Sequence, residues 1–290
     1  MSKILKALEK AEQAERRASN SGGIIVSDDS AFLPDSHDEI GPAALRETPA
    51  PSPRPKTAEN RPRSNVEVHY NKTKVAPACF HKMEERRILS ATAPSSLRDA
   101  FNVLRTQILQ QTRAKGLNTI MVTSPGRAEG KTTVATNLAI TIARDASQTA
   151  LLVDANLRWP GISCSLGMES LPGLSDHFLR GLAVESLFVS PGIDKLVLLP
   201  AGASHDDSVD IISSPDMQKL VAEMKSRYPD RYVIFDCPHL LGIPDALAFG
   251  EYVDGIILVV EEGATKQGDF KAALEMLEGR NLLGIVLNKI

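Results

Sequence analysis

The sequence predicts an α/β domain with a mostly parallel sheet and helices on both faces. Short apolar strings rich in Val, Ile and Leu recur through the later part of the 290 residues. They do not alternate with polar residues, which is the pattern of strands buried on both faces. Helical stretches lie between several of them, and strand–helix–strand repetition implies right-handed crossovers over a parallel sheet. The composition agrees: 42% hydrophobic and 24% charged residues fit an ordinary soluble protein. The longest apolar strings, such as Ile256 to Val260, fall far short of the roughly 18 residues that span a bilayer.

In chain order, residues 1–18 are expected to form a short amphipathic helix, with Ile4, Leu5, Leu8 and Ala11 at helical spacing. Residues 19–91 are expected to be a disordered linker. Pro49, Pro51, Pro53, Pro55 and Pro62 break helices, and the apolar content is too low to offset ordering entropy. Acidic residues (Asp28, Asp29, Asp35, Asp38, Glu39) precede basic ones (Arg54, Lys56, Arg61, Arg63, Lys72, Lys74). The basic stretch reads either as a solvated linker or as a surface for anionic lipid. Residues 92–290 are the expected folded domain. It opens with a helix over Leu97–Gln111, whose Leu97, Phe101, Leu104 and Ile108 share a face. The expected strands are Thr119–Thr123, Ala150–Val153, Leu196–Leu199, Tyr232–Phe235, Gly255–Val260 and Gly284–Leu287. Further helices are expected over Thr132–Arg144, Pro215–Tyr228 and Gln267–Glu278.

Charge and cysteine content narrow the function. Lys and Arg total 33 against 36 Asp and Glu, a net charge of −3, which excludes a strongly basic nucleic-acid coat protein. Cys79, Cys164 and Cys237 are odd in number and far apart. They form neither a disulfide framework nor a zinc ladder, so a reducing cytoplasm is the expected compartment. The N-terminal Met-Ser-Lys-Ile-Leu-Lys has no apolar core of a secretory signal.

In parallel α/β folds ligands sit at the carboxyl ends of the strands, so the residues after each apolar string carry the argument. After Thr119–Thr123 comes Ser124-Pro125-Gly126-Arg127-Ala128-Glu129-Gly130-Lys131-Thr132-Thr133, then a helix. Strand, loop, Gly-Lys-Thr and helix together read as a phosphate-binding loop, although Pro125 stands where the usual first Gly would be. Gly126, Glu129, Gly130, Lys131, Thr132 and Thr133 are the expected nucleotide contacts. Gly130 permits close backbone approach, Lys131 reaches the β- and γ-phosphates, and Thr132 can ligate Mg²⁺. Asp154 ends the next strand, as a metal-binding carboxylate or a helix cap. Asp236 ends a third, where a carboxylate can hold Mg²⁺ or position water. Asp245 follows in a loop able to respond to the γ-phosphate. Asn288 reads equally as an adenine-edge contact or a strand cap.

The order Gly130-Lys131-Thr132, Leu152-Val153-Asp154-Ala155-Asn156-Leu157-Arg158-Trp159-Pro160, Gly173-Leu174-Ser175-Asp176, Leu199-Pro200-Ala201-Gly202 and Ile234-Phe235-Asp236-Cys237-Pro238 resembles the bacterial tyrosine autokinases of capsule and exopolysaccharide export. These belong to the deviant P-loop ATPases. The resemblance implies a P-loop NTPase fold of the SIMIBI kind, a three-layer sandwich, over roughly residues 92–290. It implies ATP and Mg²⁺ as cofactors, with Lys131, Asp154 and Asp236 catalytic and Thr132, Asp154 and Asp236 on the metal. It also implies a transmembrane polysaccharide chain-length or activator protein as partner, a homo-oligomer as an option, and a cytoplasmic location at the inner face of the membrane. Gly126 stands where the related positioning ATPases carry a signature Lys, which favours the kinase branch. Three departures bear on chemistry. The family's second Asp of the strand-end motif is Asn156 here, and an amide cannot accept the acceptor proton. Its Glu-x-x-Arg-x-x-Arg assembly helix reads Asp99, Asn102 and Arg105. Its terminal tyrosine cluster has no counterpart in the scattered Tyr70, Tyr228, Tyr232 and Tyr252. Efficient transfer to its own tail is therefore not expected. An ATPase switch of the positioning type and a nucleotide-binding adaptor without turnover remain alternatives.

Overall fold

The structure, a computed structural model, describes residues 73–228 and 230–289. The expected helix over 1–18 and most of the expected linker lie outside the described residues. Eight strands form one sheet in the order β1-β4-β5-β3-β6-β2-β7-β8. They are β1 (Lys74–Val75), β2 (Thr119–Thr123), β3 (Thr149–Asp154), β4 (Val189–Ser190), β5 (Leu196–Leu199), β6 (Arg231–Asp236), β7 (Gly255–Glu261) and β8 (Leu282–Asn288). Every pairing is parallel except β4 with β5. All six strands expected from the apolar strings are present.

Alternate residues of each central strand enter separate cores. Met121, Leu151, Val153, Val233 and Phe235 pack on one face. Ile120, Val122, Ala150, Leu152 and Ile234 pack on the other. That is the period-2 geometry of a pleated strand with no solvated side. The second face is covered by α2 (Ser95–Thr112) and α3 (Lys131–Ala143), which follow α1 (Phe80–Glu85) in the chain. Helix α3 is buried on nearly every side from Val134 to Ala143, which explains why its residues there are mostly apolar and carry no charge. The remaining helices are α4 (Ile162–Ser165), α5 (Leu174–Arg180), α6 (Val184–Leu187), α7 (Ser208–Ile212), α8 (Pro215–Arg227), α9 (Asp245–Phe249) and α10 (Gln267–Met276). Helix α8 starts cleanly because Ser214 Oγ accepts from the Met217 N–H and Pro215 occupies the first turn.

The packed chain begins before residue 92, where the sequence reading had ended the linker. Met83, Ile88 and Leu89 are fully buried in the α2–α3 core. Buried Asn137 of α3 clamps this segment. Its Oδ1 accepts from the Leu89 N–H at 2.8 Å, and its Nδ2 donates to the Arg87 carbonyl at 2.9 Å. The composition of residues 79–87 is strongly polar, so the three apolar anchors are masked by charged neighbours. The Pro-rich composition that marks the linker ends upstream of them.

Candidate functional site

Strand β6 lies between β2 and β3, so the ends of three adjacent strands converge. Asp154 and Asp236 are direct register partners, and Val122 of β2 is the partner of Asp236 on the other side. The loop after β2 runs into α3 through Gly130, whose φ of +94° is left-handed. A Cβ at Gly130 would lie 1.9 Å from Asn288 Nδ2, so the position excludes a side chain on both conformation and space. The first N–H groups of α3 have no intrahelical acceptor and lie at the positive end of the helix, the usual seat of a phosphate.

Lys131 and Thr132 open α3. Lys131 is 9% exposed, and Thr132 Oγ1 donates to Asp236 Oδ2 at 2.6 Å. Asp154 Oδ2 accepts the Gly161 and Ile162 N–H groups, both at 3.0 Å, which locks the loop after β3 around the carboxylate. Burial, reinforced by the Asp236 charge, raises the Asp154 pKa to about 7. Burial raises Asp236 to about 6 against the opposing pull of Lys131 and the Thr132 hydroxyl. Asp236 Oδ1 is buried without a hydrogen-bond partner. Two adjacent buried carboxylates, one with an orphaned oxygen, suit a hard cation held jointly with phosphate oxygens.

The expected loop contacts divide by role. The Glu129 carboxylate braces the loop itself, accepting from the Gly126 N–H at 2.9 Å and from Thr265 Oγ1 at 2.6 Å. Asn288 Nδ2 donates to the Glu129 carbonyl at 2.9 Å, so the structure spends that amide nitrogen on the loop. Lys289 Nζ adds a bond to the Ala128 carbonyl at 2.8 Å. Asp245 lies fully buried, accepting from Arg158 Nε at 3.3 Å and from Ser208 Oγ. Asn156 is buried as well, its Oδ1 accepting the Trp159 N–H at 3.3 Å. Sequence reasoning missed His239, Trp159 and Arg127, which gather beside the loop. The Trp159 and His239 rings stack at 5.5 Å, and the Arg127 guanidinium lies 4.3 Å from the Trp159 ring centroid. Arg127 stands in the phosphate loop and Trp159 in the stretch that carries the family resemblance, but neither was assigned a role; for His239 only its position just after a strand end hinted at it.

A cavity of about 970 Å³ lies elsewhere, between α2, α3 and β8, and is lined by Leu97, Phe101, Leu104, Val134 and Ile285. Its lining meets the phosphate loop region through Thr133, Asn288 and Lys289.

No family model matches the chain. A tyrosine-protein kinase of Bacillus subtilis, YwqD, is 30% identical over 207 residues, which cover 70% of this chain and 86% of that one. The chain belongs to the bacterial tyrosine-protein kinase family. Another kinase-family relative, CpsD of Streptococcus pneumoniae serotype 4, is 31% identical over 66% of this chain and 83% of its own. The succinoglycan biosynthesis transport protein ExoP of Rhizobium meliloti is 30% identical over 70% of this chain but only 26% of its own length. Solved kinase domains share the fold. That of VpsO matches with a TM-score of 0.60 at 27% identity, covering 68% of this chain and 98% of that one. The ETK domain of Escherichia coli matches at 0.65 and 22%, covering 77% and 84%.

Proposed function

We propose that this kinase-family chain binds MgATP at the ends of β2, β3 and β6 and acts through the γ-phosphate in regulating exopolysaccharide synthesis or export. The observation that carries the reading is the Thr132–Asp236–Asp154 constellation behind the loop, with Asp236 Oδ1 left unpaired. Lys131 and the N–H groups opening α3 would hold the phosphates; Thr132, Asp154 and Asp236 would hold the metal. Mg²⁺, when bound, offsets charge on the phosphate oxygens. The chain's own part is to orient the nucleotide and to bury the two carboxylates where water is excluded.

A second reading, a nucleotide-binding adaptor with weak or no transfer, is favoured by Asn156. Its amide oxygen is engaged by the Trp159 N–H, and it offers no base at the position where the family has a carboxylate. The partner we propose is a transmembrane polysaccharide chain-length or activator protein; a relative named as a transport protein, of which the matched part is about a quarter, supports that context. No described helix is long and apolar enough to cross a membrane. We place the chain in the cytoplasm, held at the inner membrane face through that partner.

Incubation with labelled ATP tests these readings, with Lys131→Ala as control. Phosphotyrosine on any protein supports the kinase, free phosphate alone supports an ATPase switch, and bound but unreacted ATP supports the adaptor. Equal ATP affinity of wild type and Lys131→Ala would sink the nucleotide site itself.

A further inference from the structure

His239 has no task in the site as described so far. It lies three residues beyond Asp236, is only 8% exposed, and its Nδ1 is buried without a hydrogen-bond partner. A buried polar atom left unpaired costs about 1–3 kcal/mol, so its persistence in a fold points to a ligand that completes it. The backbone around it is pinned to the loop. Thr123 Oγ1 donates to the Pro238 carbonyl at 2.6 Å, the Leu240 N–H to the Ser124 carbonyl at 2.9 Å, and the Leu241 N–H to the Pro125 carbonyl at 3.1 Å. The ring itself is fixed by its stack on Trp159, which Arg127 covers in turn. Those three side chains come from three different strand-end loops.

The charged groups acting on the imidazole are Lys131, Arg127, Glu129 and Asp245. Burial and the two cations push its pKa down, so the ring is neutral near pH 7 and carries one N–H donor. In a pocket whose lysine is built to meet β- and γ-phosphates, the acceptor that suits such a donor is a phosphate oxygen. The α- and β-phosphates are the ones a loop backbone cradles. His239 and Trp159 instead follow the strands that end in Asp236 and Asp154, on the carboxylate side, where a terminal phosphate and its metal belong.

We propose that His239 is a γ-phosphate ligand, its buried Nδ1–H donating to a terminal phosphate oxygen, so that it distinguishes the triphosphate from the diphosphate. The proposal rests on the nucleotide-site reading above. It also gives Trp159 a reporting role, because this is the chain's single tryptophan and it stacks on the liganding ring.

The test compares binding of Mg²⁺-AMP-PNP and Mg²⁺-ADP by calorimetry, using the full chain. His239→Phe keeps a ring against Trp159 and removes the donor; His239→Asn keeps an amide N–H near the Nδ1 position. The phenylalanine variant should bind AMP-PNP about tenfold or more weakly, the size of a hydrogen bond to a charged group, with ADP affinity unchanged. The asparagine variant should recover part of the loss. In the wild type, Trp159 fluorescence should change with AMP-PNP and not with ADP, a reading that needs no variant to fold. Equal losses for both nucleotides, no loss for either, or the same fluorescence change with both would overturn the proposal and leave the nucleotide site standing. Failure of the wild type to bind either nucleotide would overturn both.

Discussion

Asn137→Ala isolates the clamp that joins the segment before α2 to the phosphate-loop helix. The wild-type amide satisfies the Leu89 N–H and the Arg87 carbonyl together. Leu89 is 1% exposed, so water cannot replace the lost acceptor, and an orphaned buried donor costs about 1–3 kcal/mol. Arg87 is exposed, so its carbonyl can rehydrate and the second bond loses only its net worth, about 1 kcal/mol. The sum is roughly 2–4 kcal/mol, and at about 2–4 °C per kcal/mol for a domain of this size the melting temperature should fall by on the order of 5–15 °C. Thermal unfolding by circular dichroism measures the shift, and hydrogen exchange at the Leu89 amide locates it. ATP affinity should change little, because Lys131 and Thr132 are about one and a half helical turns away. A shift below about 1 °C, with Leu89 exchange unaltered, would refute the idea that residues 83–89 are part of the packed domain.

Other outcomes follow from the same geometry. Gly130→Ala places a Cβ against Asn288 Nδ2 at a left-handed φ, so it should both lower the melting temperature and weaken ATP binding; a neutral result by melting and calorimetry would contradict the bracing of the loop by β8. Asp154 has a folded-state pKa raised above its unfolded value, so it contributes stability below about pH 4 that is lost as pH rises through about 7. His239 works in the opposite sense, but only below its ordinary 6.5. Asp236, raised to about 6, acts in the same sense as Asp154. The melting temperature without nucleotide and metal should therefore fall as pH rises towards about 7 and level off above it, and Asp154→Asn should flatten that slope; a flat wild type below pH 7 would argue against the buried charge pair. Asn156→Asp should raise transfer to a supplied tyrosine peptide, general-base assistance being worth about 10²–10⁴-fold, at unchanged ATP affinity; an active wild type with no gain in the variant would show that Asn156 is not the chemical deficit.

The central sheet was legible because strands buried on both faces are apolar without interruption, and the candidate site was legible because Asp154 and Asp236 end such strands while Lys131 and Thr132 open the helix that follows the loop after β2. Strands β1 and β4 have two residues each and carry no period. The helices after β3 were hidden for a related reason: α4 and α6 are single turns whose ends are set by tertiary contacts. The segment around Met83 and Ile88 reads as polar in composition, although Met83, Ile88 and Leu89 are in the core. His239 and Trp159 belong to no spacing rule. Their meeting is a product of strand order, which places β6 beside β3 although the two lie far apart in the chain.

The tie between Asn288 and the loop carries a consequence for how the protein is made. A ribosome releases the phosphate loop long before it releases β8. Until β8 pairs with β7 there is nothing to hold the carbonyls of Ala128 and Glu129. Ala128, held at a left-handed φ of 63°, then lacks the Lys289 bond to its carbonyl. A nascent chain with β2 and α3 already formed would own every phosphate-binding residue of the loop and still lack its geometry. Nucleotide capture is thus deferred until β8 has been made and has paired with β7.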